Sequence, residues 1–287
     1  LIEEWGLADA TIGISCVDPV YGHHLPVDEW ERLRDGLPEA TLERVGDFFH
    51  ELVHMKSPEE IECVRKAGQL MDQAFYAMSA IARPGVTEYQ LAAAATHAVM
   101  DGGGQTDFNI IGSTPMNDPG MVFGNPWPSS RRLEKGDIII NELACGYNGY
   151  SVQLGTPICI GEPPAWIRDF FDEVVVPGFD LMAQQLVGGN TWDDVMKAGA
   201  FFREKGYDSR SLYLHCIDFV SHPPHVMVDH VVAGDDELDL EAGTVAMLEP
   251  TIITPDGLFG IFFGRTFVLT EGGHEKVTKF PHELIVV

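Results

Sequence analysis

Apolar positions recur along the 287-residue chain with two different periods. After Ser57 they return every three or four residues as far as about Ile81, the spacing of a helix with one buried face. Ser57-Pro58-Glu59-Glu60 opens that run as a capping box with proline at the first helical position. Beyond Arg83-Pro84-Gly85, Thr87 caps a second helix, 88-EYQLAAAATHAVM-100. Phe108–Ile111 then reads as a strand. Two further strands are predicted at about 137–145 and 149–160, joined by the hairpin turn Gly146-Tyr147-Asn148-Gly149. Three consecutive isoleucines, Ile138 to Ile140, mark the first of these as buried on both faces, yet the same strand carries Glu142. An ionised carboxylate buried without a partner costs several kcal/mol, so something must compensate it.

The order of elements then repeats. Pro163 and Pro164 start a long helix through Phe170, Phe171, Val175 and Leu181, and Thr191 caps another at 192–206. Leu212–Val220 is a strand candidate. Residues 243–254 pair with 258–270 across Thr254-Pro255-Asp256-Gly257. Two spacings point to an internal duplication: Gly85-x-Thr87-x-x-x-Leu91 recurs as Gly189-x-Thr191-x-x-x-Val195, and Gly136 six residues before Glu142 recurs as Gly243 six before Glu249. If the halves are related by a pseudo-twofold, Glu142 and Glu249 approach each other at a shared cleft. Residues 1–50, with an apolar run Ala10–Val17 and a helix-like stretch Asp28–Leu37, read as the end of a smaller α/β domain ahead of the main domain, 51–287.

Charge narrows the partners. Eighteen basic against 44 acidic residues give a net −26, which repels nucleic acid and anionic membranes. No apolar run approaches the roughly 20 residues of a membrane span, and no signal-peptide pattern is visible. Five cysteines without a C-x-x-C pair suit reduced thiols in a cytoplasmic protein. The chain begins at Leu1 in what reads as mid-element, which suggests part of a longer protein.

The chemistry-bearing residues are Glu142 and Glu249 together with His215 and His222 in 213-YLHCIDFVSHPPHVMVDH-230. A carboxylate near a histidine is equipment for acid–base or nucleophilic work, and equally for holding a divalent ion. From about Lys56 onward the chain resembles the pita-bread family of creatinase, aminopeptidase P, prolidase and methionine aminopeptidase. The matching pieces are Lys56-Ser57-Pro58-Glu59-Glu60-Ile61, Arg83-Pro84-Gly85-Val86-Thr87-Glu88, Leu133-x-x-Gly136-Asp137, Tyr147-Asn148-Gly149-Tyr150, His215 with His222, and Glu249-Pro250. The resemblance implies an α+β pita-bread fold of pseudo-twofold αβ repeats, and a homodimer.

Departures from the family pattern set the functional expectation. Where the peptidases hold two metals with Asp, Asp, His, Glu and Glu, the matching positions here are Glu142, Gln153, His215, Glu249 and Gly264. Asn125 replaces a histidine that usually precedes the site. With one carboxylate lost to glycine and another to an amide, a two-metal centre is not expected. The sequence looks closer to the metal-free branch of creatinase and the ectoine hydrolases, which implies cofactor-free hydrolysis of a C–N bond (amide, lactam or cyclic amidine) in a small polar metabolite. In that reading Glu142 and Glu249 divide the base and acid roles and His215 or His222 shuttles a second proton. Asn125, Tyr150, Gln153 and Arg265 supply hydrogen bonds to the substrate. Two alternatives stand beside it: a single-metal Xaa-Pro dipeptidase-like or lyase enzyme using Glu142, His215 and Glu249, and a catalytically inactive binding domain. The structural readings are a Glu142–Arg265 ion pair, inert core thiols at Cys145 and Cys216, a turn carboxylate at Asp137, and surface positions for His225 and His230.

Overall fold

The computed structural model describes every residue except 16, 19–22, 218–220 and 233–239, together with the side chains of all described residues save 17, 18, 23, 24, 47 and 49. The chain opens with β1 (Thr11–Ile14), β2 (Val17–Asp18), β3 (His23–His24), α1 (Val27–Gly36), β4 (Thr41–Arg44) and α2 (Gly46–His54). β1 lies parallel to β4, and β2 pairs antiparallel with β3.

The first repeat comprises α3 (Pro58–Ile81), α4 (Glu88–Asp101), β5 (Gln105–Pro115), β6 (Asp137–Tyr147), β7 (Tyr150–Gly155) and β8 (Ile158–Cys159). The capping box expected at Ser57 forms, with Glu60 N donating to Ser57 Oγ at 3.3 Å and Ser57 N donating to Glu60 Oε2 at 2.7 Å. Its buried face, including Val64, Leu70, Met71, Phe75 and Met78, packs on β6 and β7. The hairpin after β6 closes through Asn148 and Gly149, both at positive φ, between the paired Tyr147 and Tyr150. That is the turn an Asn-Gly step favours.

The second repeat runs through α5 (Ala165–Phe170), a π-helical turn (Phe171–Val175), α6 (Val176–Ala183), α7 (Trp192–Ala198), α8 (Ala200–Glu204), β9 (Asp208–Ser209), β10 (Leu212–Ile217), β11 (Ser221–Met227) and β12 (Val231–Val232). It ends with β13 (Val245–Leu248), β14 (Thr251–Ile253), β15 (Gly260–Phe262), β16 (Gly264–Thr270), β17 (Gly273–Lys276) and β18 (Ile285–Val286). Two helices expected to be continuous are interrupted. Pro177 has no N–H and its ring crowds the carbonyl four residues back, so the preceding turn widens. At Gly199 a Cβ would stand 2.4 Å from the Tyr213 ring, which presses on the helix at that break. The strand expected over 212–220 is observed to Ile217; its last three residues lie outside the described ones.

The main sheet has the order β12-β11-β10-β13-β16-β7-β6-β8-β18, with β5 added on β6 and β17 on β16. The duplication read from spacing is mirrored in backbone conformation. Gly85 and Gly189 have φ of 91° and 94°, Gly136 and Gly243 have 94° and 95°, and Thr87 and Thr191 each form a capping box. Glu142 stands on β6 and Glu249 directly follows β13. Between those strands lie only β7 and β16, whose register sets Gly155 opposite Gly264. The repeat therefore carries both glutamates to the middle of one sheet.

Candidate active site

Glu142 faces Glu249. Both are buried, and their side chains are hydrogen-bonded to one another. Desolvation, the largest cause, pushes both carboxyls far above the ordinary carboxylate range. The charge of Glu142 raises Glu249 further, and Arg210 pulls both partly back. Two desolvated carboxyls this close cannot both ionise, so the pair shares a proton across its hydrogen bond.

His215 approaches from β10, with Nε2 3.5 Å from Glu249 Oε1. Its Nδ1 donates to the Cys216 carbonyl at 3.0 Å, since a carbonyl can only accept, and this leaves the Nε2 lone pair towards the glutamates. Burial depresses the imidazole to about 4, so the ring is neutral at physiological pH. The same face of β10 is lined by His225, the cross-strand partner of His215, with ring centroids 6.5 Å apart. His225 is buried, which corrects its expected surface position; β11 turns it under the sheet.

Glu142, Glu249 and His215 line a cavity of about 480 Å³. Phe108, Phe123, Trp127 and Phe262 form aromatic walls, and Arg210 is the one cation among the described lining residues. Asn125, at φ 57°, is both turn residue and lining residue; its Oδ1 accepts from Arg210 Nη1 at 2.8 Å. Gln153 is buried on the lining, with Oε1 lacking any hydrogen-bond partner among the described residues.

Three expected site residues are elsewhere. His222 pairs across the strands with Cys216, and so faces away from His215; its Nε2 is 3.3 Å from Lys56 Nζ and Ser221 takes the place at the cavity wall. His222 lies three residues from His225, the cross-strand partner of His215, and this odd separation along β11 defeats the inference that a seven-residue spacing returns both imidazoles to one opening. Tyr150 donates to Glu60 Oε1 at 2.6 Å, against α3. Arg265 is fully buried, donating to the carbonyls of Gly155, Gly264 and Pro281 at 2.7, 2.7 and 2.9 Å, with its guanidinium 4.3 Å from the Phe263 ring centroid. It alternates away from the cavity on β16, so neither a substrate contact nor the Glu142 ion pair forms. Arg210 and Phe262 are among the lining residues that pattern reading missed. A lone arginine five residues before His215 in so acidic a chain was the available signal for the first.

The donor set rules on metals. At Gly264 a Cβ would lie 2.4 Å from Met247 Cε and 2.9 Å from the Phe262 ring, and at Gly155 2.2 Å from that ring. Phe262 and Met247 therefore fill the space a last glutamate would need, and a pair of ions does not fit. One ion fits the chemistry better: two carboxylates, the Nε2 lone pair and the orphaned Gln153 Oε1 are hard or borderline donors around one cavity. The ligand atoms of Glu142, His215 and Glu249 do not all come within 4.8 Å of one another, so binding would draw them inward. Elsewhere, Asp137 holds Arg131 at 2.6 and 2.9 Å and accepts from Glu134 N, as a turn carboxylate does. Among the described residues no helix is long and apolar enough to cross a membrane.

A family model for metallopeptidase family M24 matches residues 62–271. The probable dipeptidase PepE of Mycobacterium tuberculosis is 28% identical over 301 residues, covering 99% of this chain and 74% of that protein. The Xaa-Pro dipeptidase of Pyrococcus furiosus is 25% identical over 260 residues, 89% of this chain and 72% of the relative. A creatinase from a Bacillus species is 25% identical over 296 residues, 98% and 69%. In fold, the X-Pro aminopeptidase of Thermotoga maritima superposes with a TM-score of 0.82 at 21% identity, over 100% of this chain and 76% of that one.

Proposed function

The chain belongs to metallopeptidase family M24, and from that premise we propose that it hydrolyses a C–N bond in a small carboxylate-bearing substrate, with one divalent cation held by Glu142, His215, Glu249 and Gln153. The observation that carries the reading is the buried Glu142–Glu249 pair sharing one cavity with a neutral imidazole and an amide oxygen without a partner. Two desolvated carboxyls keep a proton because nothing else neutralises them, and a cation would take that proton's place. When bound, such an ion polarises a carbonyl and makes water a better nucleophile near neutral pH. PepE and the Xaa-Pro dipeptidase are named for cleaving dipeptides, which supports the peptide-like substrate class.

The chain's own groups divide the remaining work. With a cation in place of the shared proton, a carboxylate oxygen of the Glu142–Glu249 pair that stays off the ion is placed to take the proton of attacking water and pass it to the leaving nitrogen. The C–O bond forms, the C–N bond breaks, and the amine leaves with that proton. The Cys216 carbonyl fixes the His215 tautomer. Arg210, steadied by Asn125 and the Phe123 carbonyl, offers a guanidinium to a substrate carboxylate, while the aromatic walls receive its apolar part.

A second reading, metal-free hydrolysis as the sequence suggested, draws on the same hydrogen bond, with the two glutamates dividing the base and acid roles between them. Assaying dipeptides and N-acyl amino acids, each with free and amidated C-termini, separates the two. Turnover that a chelator abolishes and Mn2+ restores, with preference for the free carboxylate, is expected. Full turnover in chelator transfers the site to the metal-free reading, and absence of turnover on every substrate favours a binding role. A homodimer and a cytoplasmic location are expected as well, checked by light scattering and cell fractionation.

A further inference from the structure

On the face of β10 opposite the catalytic cavity, we propose that His54, Cys216 and His222 form a separate structural site for a thiophilic divalent cation of the zinc class. The three side chains are buried, and they bring one ligand atom each within 4.8 Å of one another. They come from three elements: the last residue of α2, the end of β10 and the start of β11.

The fold explains their meeting. Cys216 and His222 are cross-strand partners, so their side chains share a face. His54 is brought beneath that face by the bridge of Met55 to Thr244 and by Lys56 N donating to the Gly243 carbonyl at 2.9 Å. Each imidazole has one nitrogen already engaged by oxygen. His222 Nδ1 donates to the Pro223 carbonyl at 2.7 Å, and His54 Nε2 lies 3.2 Å from Thr244 Oγ1. Outer bonds of that kind fix ring orientation in metal sites and direct the other nitrogen at the ion. One thiolate and two imidazoles are a borderline-soft set suited to tetrahedral zinc, whose bond lengths of about 2.0–2.3 Å imply ligand separations of roughly 3.5 Å. Small rotamer changes close the difference.

Lys56 is the group that must yield. Its Nζ sits 3.3 Å from His222 Nε2 and 3.2 Å from the His54 carbonyl. The ion displaces it from the imidazole, and the Cys216 thiol gives its proton to solvent. The bound ion would fasten the end of α2 to the catalytic sheet, a role unrelated to turnover.

The test is Co2+ titration of the chelator-treated full chain, read as the near-ultraviolet thiolate-to-cobalt absorption. No cysteine lines the catalytic cavity, so an ion bound there gives no such band. One equivalent of band is expected in the native chain and in Glu249→Gln, with loss in Cys216→Ser and in His54→Gln. X-ray absorption of zinc-loaded native protein, which needs no variant to fold, is expected to show one sulfur scatterer. A band that persists in Cys216→Ser, or zinc surrounded only by nitrogen and oxygen, overturns the site.

Discussion

Replacing Glu142 by glutamine isolates the energetic cost of the buried pair. Burial lifts the Glu142 carboxyl from 4.5 to about 8. A carboxyl whose folded pKa lies above its unfolded value contributes stability that is full below the unfolded pKa and is lost as pH rises through the folded one. At about 1.4 kcal/mol per unit, the loss between pH 4.5 and neutrality comes to about 3 kcal/mol. Urea unfolding in excess chelator between pH 5 and pH 8 reads it directly. The native chain is expected to lose about 3 kcal/mol more than Glu142→Gln over that range, and added Mn2+ is expected to flatten the native curve by replacing the proton. Glu249 is raised by the Glu142 charge in the native chain only, so it adds to the difference in the same direction, while the remaining acidic residues act on both chains alike and cancel. Parallel pH curves for the two proteins would refute the picture of a desolvated carboxyl pair.

Other parts of the account can be checked separately. Arg210→Met is expected to lower kcat/KM for free-carboxylate substrates roughly ten- to hundredfold through KM, the worth of a charge-assisted hydrogen bond of about 1.5–3 kcal/mol, and to spare amidated ones; equal losses on both would remove Arg210 from recognition. Gly264→Glu, which restores the family's acidic residue, is expected to cost about 1–3 kcal/mol by calorimetry, because Met247 and Phe262 occupy its space, and to add no second ion. His215, depressed from 6.5 to about 4, favours the neutral form in the folded state, so stability should fall as pH drops through that interval, by about 3 kcal/mol. His215→Asn should abolish that acid-side loss in an unfolding titration.

Local signals carried much of this architecture. The capping boxes at Ser57, Thr87 and Thr191, the Asn-Gly hairpin and the paired glycines of the repeat are short-range chemistry, and the chain spells them out. Those glycines were also enough to pair Glu142 with Glu249, because a duplicated scaffold sets equivalent residues face to face. What failed depended on which side of a strand a residue takes. Alternation along β11 puts His222, three residues from the partner of His215, on the opposite face, and alternation on β16 removes Arg265 from the cavity. Gly264 was visible as a missing ligand, but only packing reveals that Phe262 and Met247 have moved into the gap. Arg210 was legible as a charge and illegible as a contact, since its hydrogen bond reaches Asn125 from 85 residues away.

The most direct test of the central claim is anomalous difference density from crystals of the active protein grown with Mn2+. One peak in the cavity among Glu142, His215 and Glu249, with none beside Gly264, is the result the account predicts. Two peaks there, or an empty cavity in a protein that turns over fully in chelator, would contradict it.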